Sequence, residues 1–219
     1  MSTVLYIVRH AESAGNSGGM LCGHVNVDIS AEGEKQLEFL AERFRDVRFD
    51  AIYTSPLLRA RRTAAAVNKY HGLEIVPDDG IIELCCGVLD GMEWTKIKSD
   101  YPEQYRIWRE EAYNFDPPEG ESFRHLYDRI WDSVIRLGSA HDGQVVVLST
   151  HGGAMRCLLC RLEGKPVEEL GSIGIIENTG FIRVVYDDGV LSLDAGPDAS
   201  HLPEELCTVG RQAEYRAAK

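Results

Sequence analysis

Apolar and polar positions in this chain switch between two spacings. Thr3-Val-Leu-Tyr-Ile-Val8 and Gln144-Val-Val-Val-Leu-Ser149 are near-continuous apolar runs of strand length, which predict strands buried on both faces. Elsewhere the spacing is helical. Ser30 predicts the cap of a helix through about Phe44, with Leu37, Leu40, Ala41 and Phe44 on one face. Ala51–Thr54 reads as a second strand. Leu57–Tyr70, rich in Ala and Arg, reads as a helix opening straight after Ser55-Pro56, and Leu73–Val76 as a third strand ended by Pro77-Asp-Asp-Gly80. Ser122 starts a long helix on which Phe123, Leu126, Ile130, Val134 and Leu137 recur every three or four residues. Gly152–Arg161 reads as a helix, and Gly180–Asp187 with Val190–Leu193 as a hairpin around Asp187-Asp-Gly189.

This alternation predicts an α/β fold: a three-layer α/β/α sandwich with a mostly parallel central sheet flanked by helices. From about residue 85 to 120 the periodicity loosens. Trp94, Tyr101, Tyr105, Trp108 and Tyr113 stand there among charges, and Asp116-Pro-Pro-Glu-Gly120 closes the stretch. It reads as a small lid inserted into a single domain spanning residues 1–219, with a polar tail over about 203–219.

With 219 residues, 44% apolar and 26% charged, the chain can bury one good core. Its net charge of −12 argues against nucleic-acid or anionic-membrane partners. An anionic small molecule would need a local cationic cleft, which a few arginines can create even in an acidic protein. Over residues 1–30 the apolar run Val4–Val8 is cut short by Arg9 and His10, so neither a signal peptide nor a membrane span is expected, and a cytoplasmic location is. The six cysteines are scattered. Cys157-Leu-Leu-Cys160 has no second pair to complete four metal ligands, and reads as buried thiols.

Both long apolar runs end in a histidine. The first delivers Arg9-His10 into a small-residue turn, and the second delivers Thr150-His151 where a helix begins. An imidazole can attack phosphorus and a guanidinium matches phosphoryl oxygens, although a lone histidine at a strand end is commonly a structural residue. Arg59 follows the second strand and is aimed at the same sheet edge, where ligands of open α/β sheets bind; Arg61 and Arg62 read as a solvated helix face. Glu83 leaves the third strand with a carboxylate that, taken alone, reads as solvated.

Taken together and in order, these pieces resemble the histidine phosphatase superfamily, the phosphoglycerate mutase-like family, over roughly residues 3–202. Arg9-His10 with Ser13 and Asn16 is similar to its Arg-His-Gly-x-Thr-x-x-Asn signature. Ser55-Pro-Leu-Leu-Arg59-Ala resembles its Ser-x-Leu-x-Arg-Ala block, and Glu83 with Gly87 and Gly91 its Glu-x-x-x-Gly-x-x-x-Gly block. Gly120-Glu121-Ser122 and Ser149-Thr-His151-Gly-Gly resemble two later motifs. The resemblance implies that His10 is a nucleophile forming a phosphohistidine and that Glu83 is the general acid and base. Arg9, Arg59 and His151 would line the phosphate pocket, His151 helping most when protonated. Asn16, Ser13, Gly23 and Gly152 are implied as further substrate contacts. No metal and no cofactor are implied, and the expected partner is a small phosphorylated metabolite. Ala11, Asn26 and Cys85-Cys86 depart from the family pattern.

The leading expectation is a metal-independent phosphomonoesterase. A phosphoglycerate mutase-type isomerase is the alternative, disfavoured because the stretch Trp108-Arg109-Glu110-Glu111 lacks the paired lid arginines of family mutases. A second alternative is a non-catalytic phosphate-binding protein. The lid residues Trp94, Tyr101, Trp108 and Phe115 read either as a stacking surface or as the lid's own small core. His24, His71, His125, His141 and His201 have surface-type neighbours, with His24 a candidate for the loop above the pocket.

Overall fold

The computed structural model describes residues 1–210. In chain order its elements are β1 (Thr3–Arg9), α1 (Ala14–Ser17), α2 (Ala31–Phe44), β2 (Ala51–Thr54), α3 (Leu58–Val67), β3 (Ile75–Pro77), α4 (Trp94–Asp100), α5 (Pro102–Glu110), α6 (Phe123–Ser139), β4 (Val145–Thr150), α7 (Gly152–Leu162), β5 (Phe181–Asp187) and β6 (Val190–Asp198). They build a six-stranded sheet in the order β3-β2-β4-β1-β5-β6. The first four strands of that order run parallel, while β5 is antiparallel to β1 and β6 antiparallel to β5.

Side chains alternate across the sheet with a period of two, so each central strand feeds two cores. Leu5 and Ile7 of β1, with Val146 and Leu148 of β4, pack against Ile130 and Val134 of α6 and Leu158 of α7. Val8 and Val147 point the other way, toward Leu37, Leu40 and Phe44 of α2 and Ala64 and Val67 of α3. Tyr6 meets Phe44 and Phe49 edge-on on that second face, with ring centroids 5.6 Å apart in each pair. The three-layer sandwich follows from this two-sided burial.

The helix starts obey local chemistry. Ser30 Oγ accepts the Gly33 N–H at 3.0 Å and Ser122 Oγ the His125 N–H at 3.2 Å. At α3 the Leu57 cap position has no side-chain bond of its own, and Asn26 Oδ1 accepts the Leu58 N–H instead, at 2.7 Å. The departure noted at Asn26 therefore has a task.

Helices α4 and α5 and the turn Ala112–Asn114 form the segment expected as a lid. Its aromatic residues stack on one another, with Trp108 at 5.1 Å from Trp94 and 4.9 Å from Phe115 between ring centroids. The chain leaving this segment lies hard against the residues that enter it. Gly87 has φ +52°, and a Cβ there would sit 2.0 Å from the Pro118 carbonyl oxygen.

The tail differs from expectation over its described part. Leu206 and Thr208 are buried, and Gln36 Nε2 donates to the Leu206 carbonyl at 2.8 Å. Thr208 N–H donates to Glu177 at 2.7 Å, and Thr208 Oγ1 to Asn178 Oδ1 at 2.7 Å. Two apolar or β-branched residues spaced among charges are enough to dock a segment whose composition reads as polar. Residues 211–219 of the expected tail lie outside the described residues. No helix among the described residues is long and apolar enough to cross a membrane.

Candidate active site

Strand order places the chemistry. β4 lies between β1 and β2, so the carboxyl ends carrying His10, His151 and Ser55 are neighbours, with Arg9 opposite Thr150 and Thr54 opposite Ser149. The rings of His10 and His151 end 5.1 Å apart, centroid to centroid.

His10 is buried, and its Nδ1 lies 2.7 Å from the Ala11 carbonyl oxygen. A carbonyl only accepts, so Nδ1 carries the proton and Nε2 keeps its lone pair. Burial, then the charges of Arg59 and Arg9, hold its pKa well below the usual histidine value. The ring is neutral, with a lone pair on Nε2 that is chemically able to attack an electrophile.

His151 is equally neutral, again through burial first and then Arg59 and His10. Its Nε2 is 2.7 Å from Ser55 Oγ. That oxygen accepts the Leu57 N–H at 3.3 Å, and its own proton has no other acceptor among the described residues, so the satisfied arrangement gives that proton to Nε2 and leaves the His151 proton on Nδ1. Nδ1 is buried with no hydrogen-bond partner among the described residues. Sequence reasoning expects His151 to help most when protonated; burial beside Arg59 disfavours that charge, and the neutral ring still offers an N–H donor.

These two rings tie stability to pH. Unfolded, each titrates near about 6.5, whereas in the folded protein each takes a proton only well below that. As pH falls below about 6.5 the unfolded chain binds more protons, and stability drops by up to about 1.4 kcal/mol per pH unit per ring. Urea midpoints measured from pH 7.5 to 5 are expected to fall, and to fall less steeply in His10→Asn; equal slopes would contradict the assignment.

Arg59 is fully buried. Its Nη1 donates to the Val25 carbonyl at 2.9 Å and its Nη2 to the Gly23 carbonyl at 2.7 Å, while Nε has no partner among the described residues. The loop it grips is itself clamped: the N–H groups of Gly23, His24 and Val25 all donate to the Asp90 carboxylate at 2.7 Å. Gly23 therefore serves the site through its backbone, and a Cβ there would come 2.4 Å from the Leu84 carbonyl oxygen. Arg9 is also buried and bonds the Ile176 carbonyl through Nη1. Desolvation lowers its pKa to about 10, which leaves it cationic at neutral pH.

Glu83 lines the same cavity as His10. The start of α7 receives its carboxylate, with N–H donors from Gly153 at 3.0 Å and Ala154 at 3.2 Å, and Leu84 adds a third at 2.9 Å. Gly153 is required by this approach, since a Cβ would lie 2.5 Å from Glu83 Oε1.

Arg9, His10, Asn16, Glu83 and Gly152 share the wall of one cavity. Arg59 and His151 are not in the wall and are fully buried. Ser13 also stays out of it: its Oγ caps α1 by accepting the Asn16 N–H at 3.3 Å, and Asn16 Oδ1 accepts the Ser13 N–H at 3.1 Å. Ser13 thus fixes Asn16, whose amide N–H₂ is the donor left for a ligand. Trp94 and Trp108 reach the cavity from the lid, whereas Tyr101, Phe115 and Arg109 do not. His24 Nε2 donates to the Glu83 carbonyl at 2.8 Å, bracing the acid's backbone.

Arg156 lines the same cavity, and sequence reasoning passed over it. The available signal was helical spacing, because Arg156 is one turn beyond Gly152 on α7.

Residues 5–196 match the family described as the histidine phosphatase superfamily (branch 1). The chain is 35% identical over 170 residues to phosphoserine phosphatase 1 of Hydrogenobacter thermophilus, covering 78% of this chain and 81% of that protein. It is 28% identical over 200 residues to a 2,3-bisphosphoglycerate-dependent phosphoglycerate mutase of Bartonella tribocorum, covering 88% of this chain and 97% of the mutase. The structure of Bacillus stearothermophilus YhfR superposes with a TM-score of 0.87 at 26% identity, over 91% of this chain and 98% of that one. The two strand-end histidines therefore lie on a known scaffold, and the chain belongs to the histidine phosphatase superfamily.

Proposed function

We propose that this protein is a metal-independent phosphomonoesterase acting on a small phosphorylated metabolite through a phosphohistidine on His10. The observation that carries the reading is a neutral imidazole whose ring lies 5.1 Å from that of His151, where the buried His151 Nδ1, like Arg59 Nε, has no hydrogen-bond partner among the described residues. Leaving a buried donor unpaired costs about 1–3 kcal/mol. A phosphoryl group at His10 Nε2 supplies the missing acceptors.

The lone pair of His10 Nε2 attacks phosphorus and the phosphorus–oxygen ester bond breaks. The leaving oxygen takes a proton from the Glu83 carboxyl group. Water then attacks the phosphohistidine, passing a proton back to Glu83 as the nitrogen–phosphorus bond breaks. Arg9 and Arg59 balance the charge of the equatorial oxygens, the task a divalent ion performs in many phosphoryl transfers. Hydrolysis is favoured over isomerisation because the lid offers the cavity Trp94 and Trp108 and keeps Arg109 out of it.

The purified protein is expected to release p-nitrophenol from p-nitrophenyl phosphate in the presence of EDTA, with inhibition by vanadate. Given 3-phosphoglycerate, it is expected to yield free phosphate in excess of 2-phosphoglycerate. Dominant 2-phosphoglycerate would establish the mutase, and phosphate binding without turnover of any ester would establish the non-catalytic alternative.

A further inference from the structure

Gly120-Glu121-Ser122 stands apart from the cavity wall, and beyond the helix cap at Ser122 the chemistry at His10 and Glu83 gives this motif no task. Its carboxylate has one two-pronged partner. Arg129 of α6 meets Glu121 with a bond from Nε to Oε1 at 2.8 Å and another from Nη2 to Oε2 at 2.7 Å. Burial pushes the Glu121 carboxyl up, and the bonds from Arg129 and His125 more than reverse it, so the pair is ionised at neutral pH.

The rest of the guanidinium faces the backbone that leads to the acid. Nη1 donates to the Gly80 and Ile82 carbonyls, both at 3.0 Å, and Nη2 to the Glu83 carbonyl at 3.3 Å. Glu121 adds its own N–H, which donates to the Cys85 carbonyl at 2.8 Å. One ion pair thus holds carbonyls on both sides of Glu83. A guanidinium is planar and its donors form a fixed fork, so the groups bound to it are held relative to one another.

This grip falls where the chain has no other regular support, since residues 82–86 lie in neither helix nor strand. From there the Glu83 carboxylate has to reach the Gly153 and Ala154 N–H groups of α7. We infer that Arg129, clamped by Glu121, is a positioning residue for Glu83: it fixes the backbone from Gly80 to Glu83 so that the carboxylate stays on the first turn of α7 and in the cavity. Neither Arg129 nor Glu121 lines that cavity. The catalytic consequence rests on the phosphomonoesterase reading, while the placement of the carboxylate does not.

Amide exchange reads the placement directly. In Arg129→Met the Gly153 and Ala154 N–H groups are expected to exchange about tenfold or more faster, because they lose a steady acceptor, while the Met155 N–H, bonded to the His151 carbonyl, keeps its rate. In turnover, the same variant is expected to lose about 10–100-fold in kcat on glycerol 3-phosphate, the scale of a misplaced catalytic group, with KM within about threefold. The loss on p-nitrophenyl phosphate should be several-fold smaller, since its leaving group needs no proton. Arg129→Lys keeps the charge but not the fork, and is expected to restore part of both effects. Should Arg129→Met fail to fold, Arg129→Lys and Glu121→Gln carry the same comparison with smaller changes. Unchanged exchange at Gly153 and Ala154, or equal losses on the two esters, overturns the inference. Faster exchange in the variants, with no ester hydrolysed by the unaltered protein, would retain the positioning and reject the phosphomonoesterase.

Discussion

His10→Ala is expected to release phosphate from every ester about 10⁴-fold or more slowly than the unaltered protein, while remaining folded. The size of the loss follows from what the ring alone provides. Its Nδ1 proton is fixed on the Ala11 carbonyl and its charge is suppressed by burial and two guanidiniums, so no neighbouring group can offer an equivalent lone pair to phosphorus. The fold survives because the residue's structural bonds belong to its backbone: the N–H donates to Thr150 at 2.9 Å and the carbonyl accepts from Asn178 Nδ2 at 2.8 Å. Quenching with labelled substrate under neutral or basic conditions should trap a phosphorylated protein in the unaltered form and none in the variant. Turnover persisting within tenfold would remove His10 as the nucleophile.

Glu83→Gln is expected to slow hydrolysis of an alkyl phosphate such as glycerol 3-phosphate by about 10²–10⁴-fold, the range of a lost general acid. p-Nitrophenyl phosphate should suffer less in the first step, because its leaving group departs without a proton. The amide oxygen still accepts the Ala154 and Leu84 N–H groups, while the amide N–H₂ faces the Gly153 N–H and loses that bond; the carboxyl proton donor is what disappears. Accumulated phosphohistidine in this variant would report the loss of the base that activates water. Equal losses for both esters, with no accumulation, would move the acid elsewhere.

The parts of this architecture that could be read from the chain alone were those in which one physical cause dominates. Val4–Val8 and Val145–Leu148 are too continuously apolar to be surface strands, and a histidine after each sits at the edge where α/β sheets bind ligands. Glu83 needed the fold: its significance comes from the first turn of a helix far along the chain, where Gly153 lies seventy residues later. Arg156 was hidden because an arginine within Met155-Arg-Cys-Leu reads as the polar side of an otherwise buried helix. The segment from Pro203 reads as a polar tail because Glu204 and Glu205 dominate its start, whereas the buried Leu206 and Thr208 hold its described part against the domain. The protonation of His151 was beyond sequence, since it depends on which neighbour owns the hydroxyl proton of Ser55.

Strand β1 occupies a position with a consequence for biosynthesis. Its partners on either side, β4 and β5, both come from the last third of the chain, with Val4 paired to Val145 on one edge and to Val185 on the other. The strand that leads into His10 is thus made long before either of its sheet partners. Such distant pairing closes slowly and leaves an apolar strand unsatisfied in the meantime. A nascent chain halted before residue 145 would carry His10 beyond a strand lacking both sheet neighbours and would lack His151 altogether, so the two histidines come together only late in synthesis.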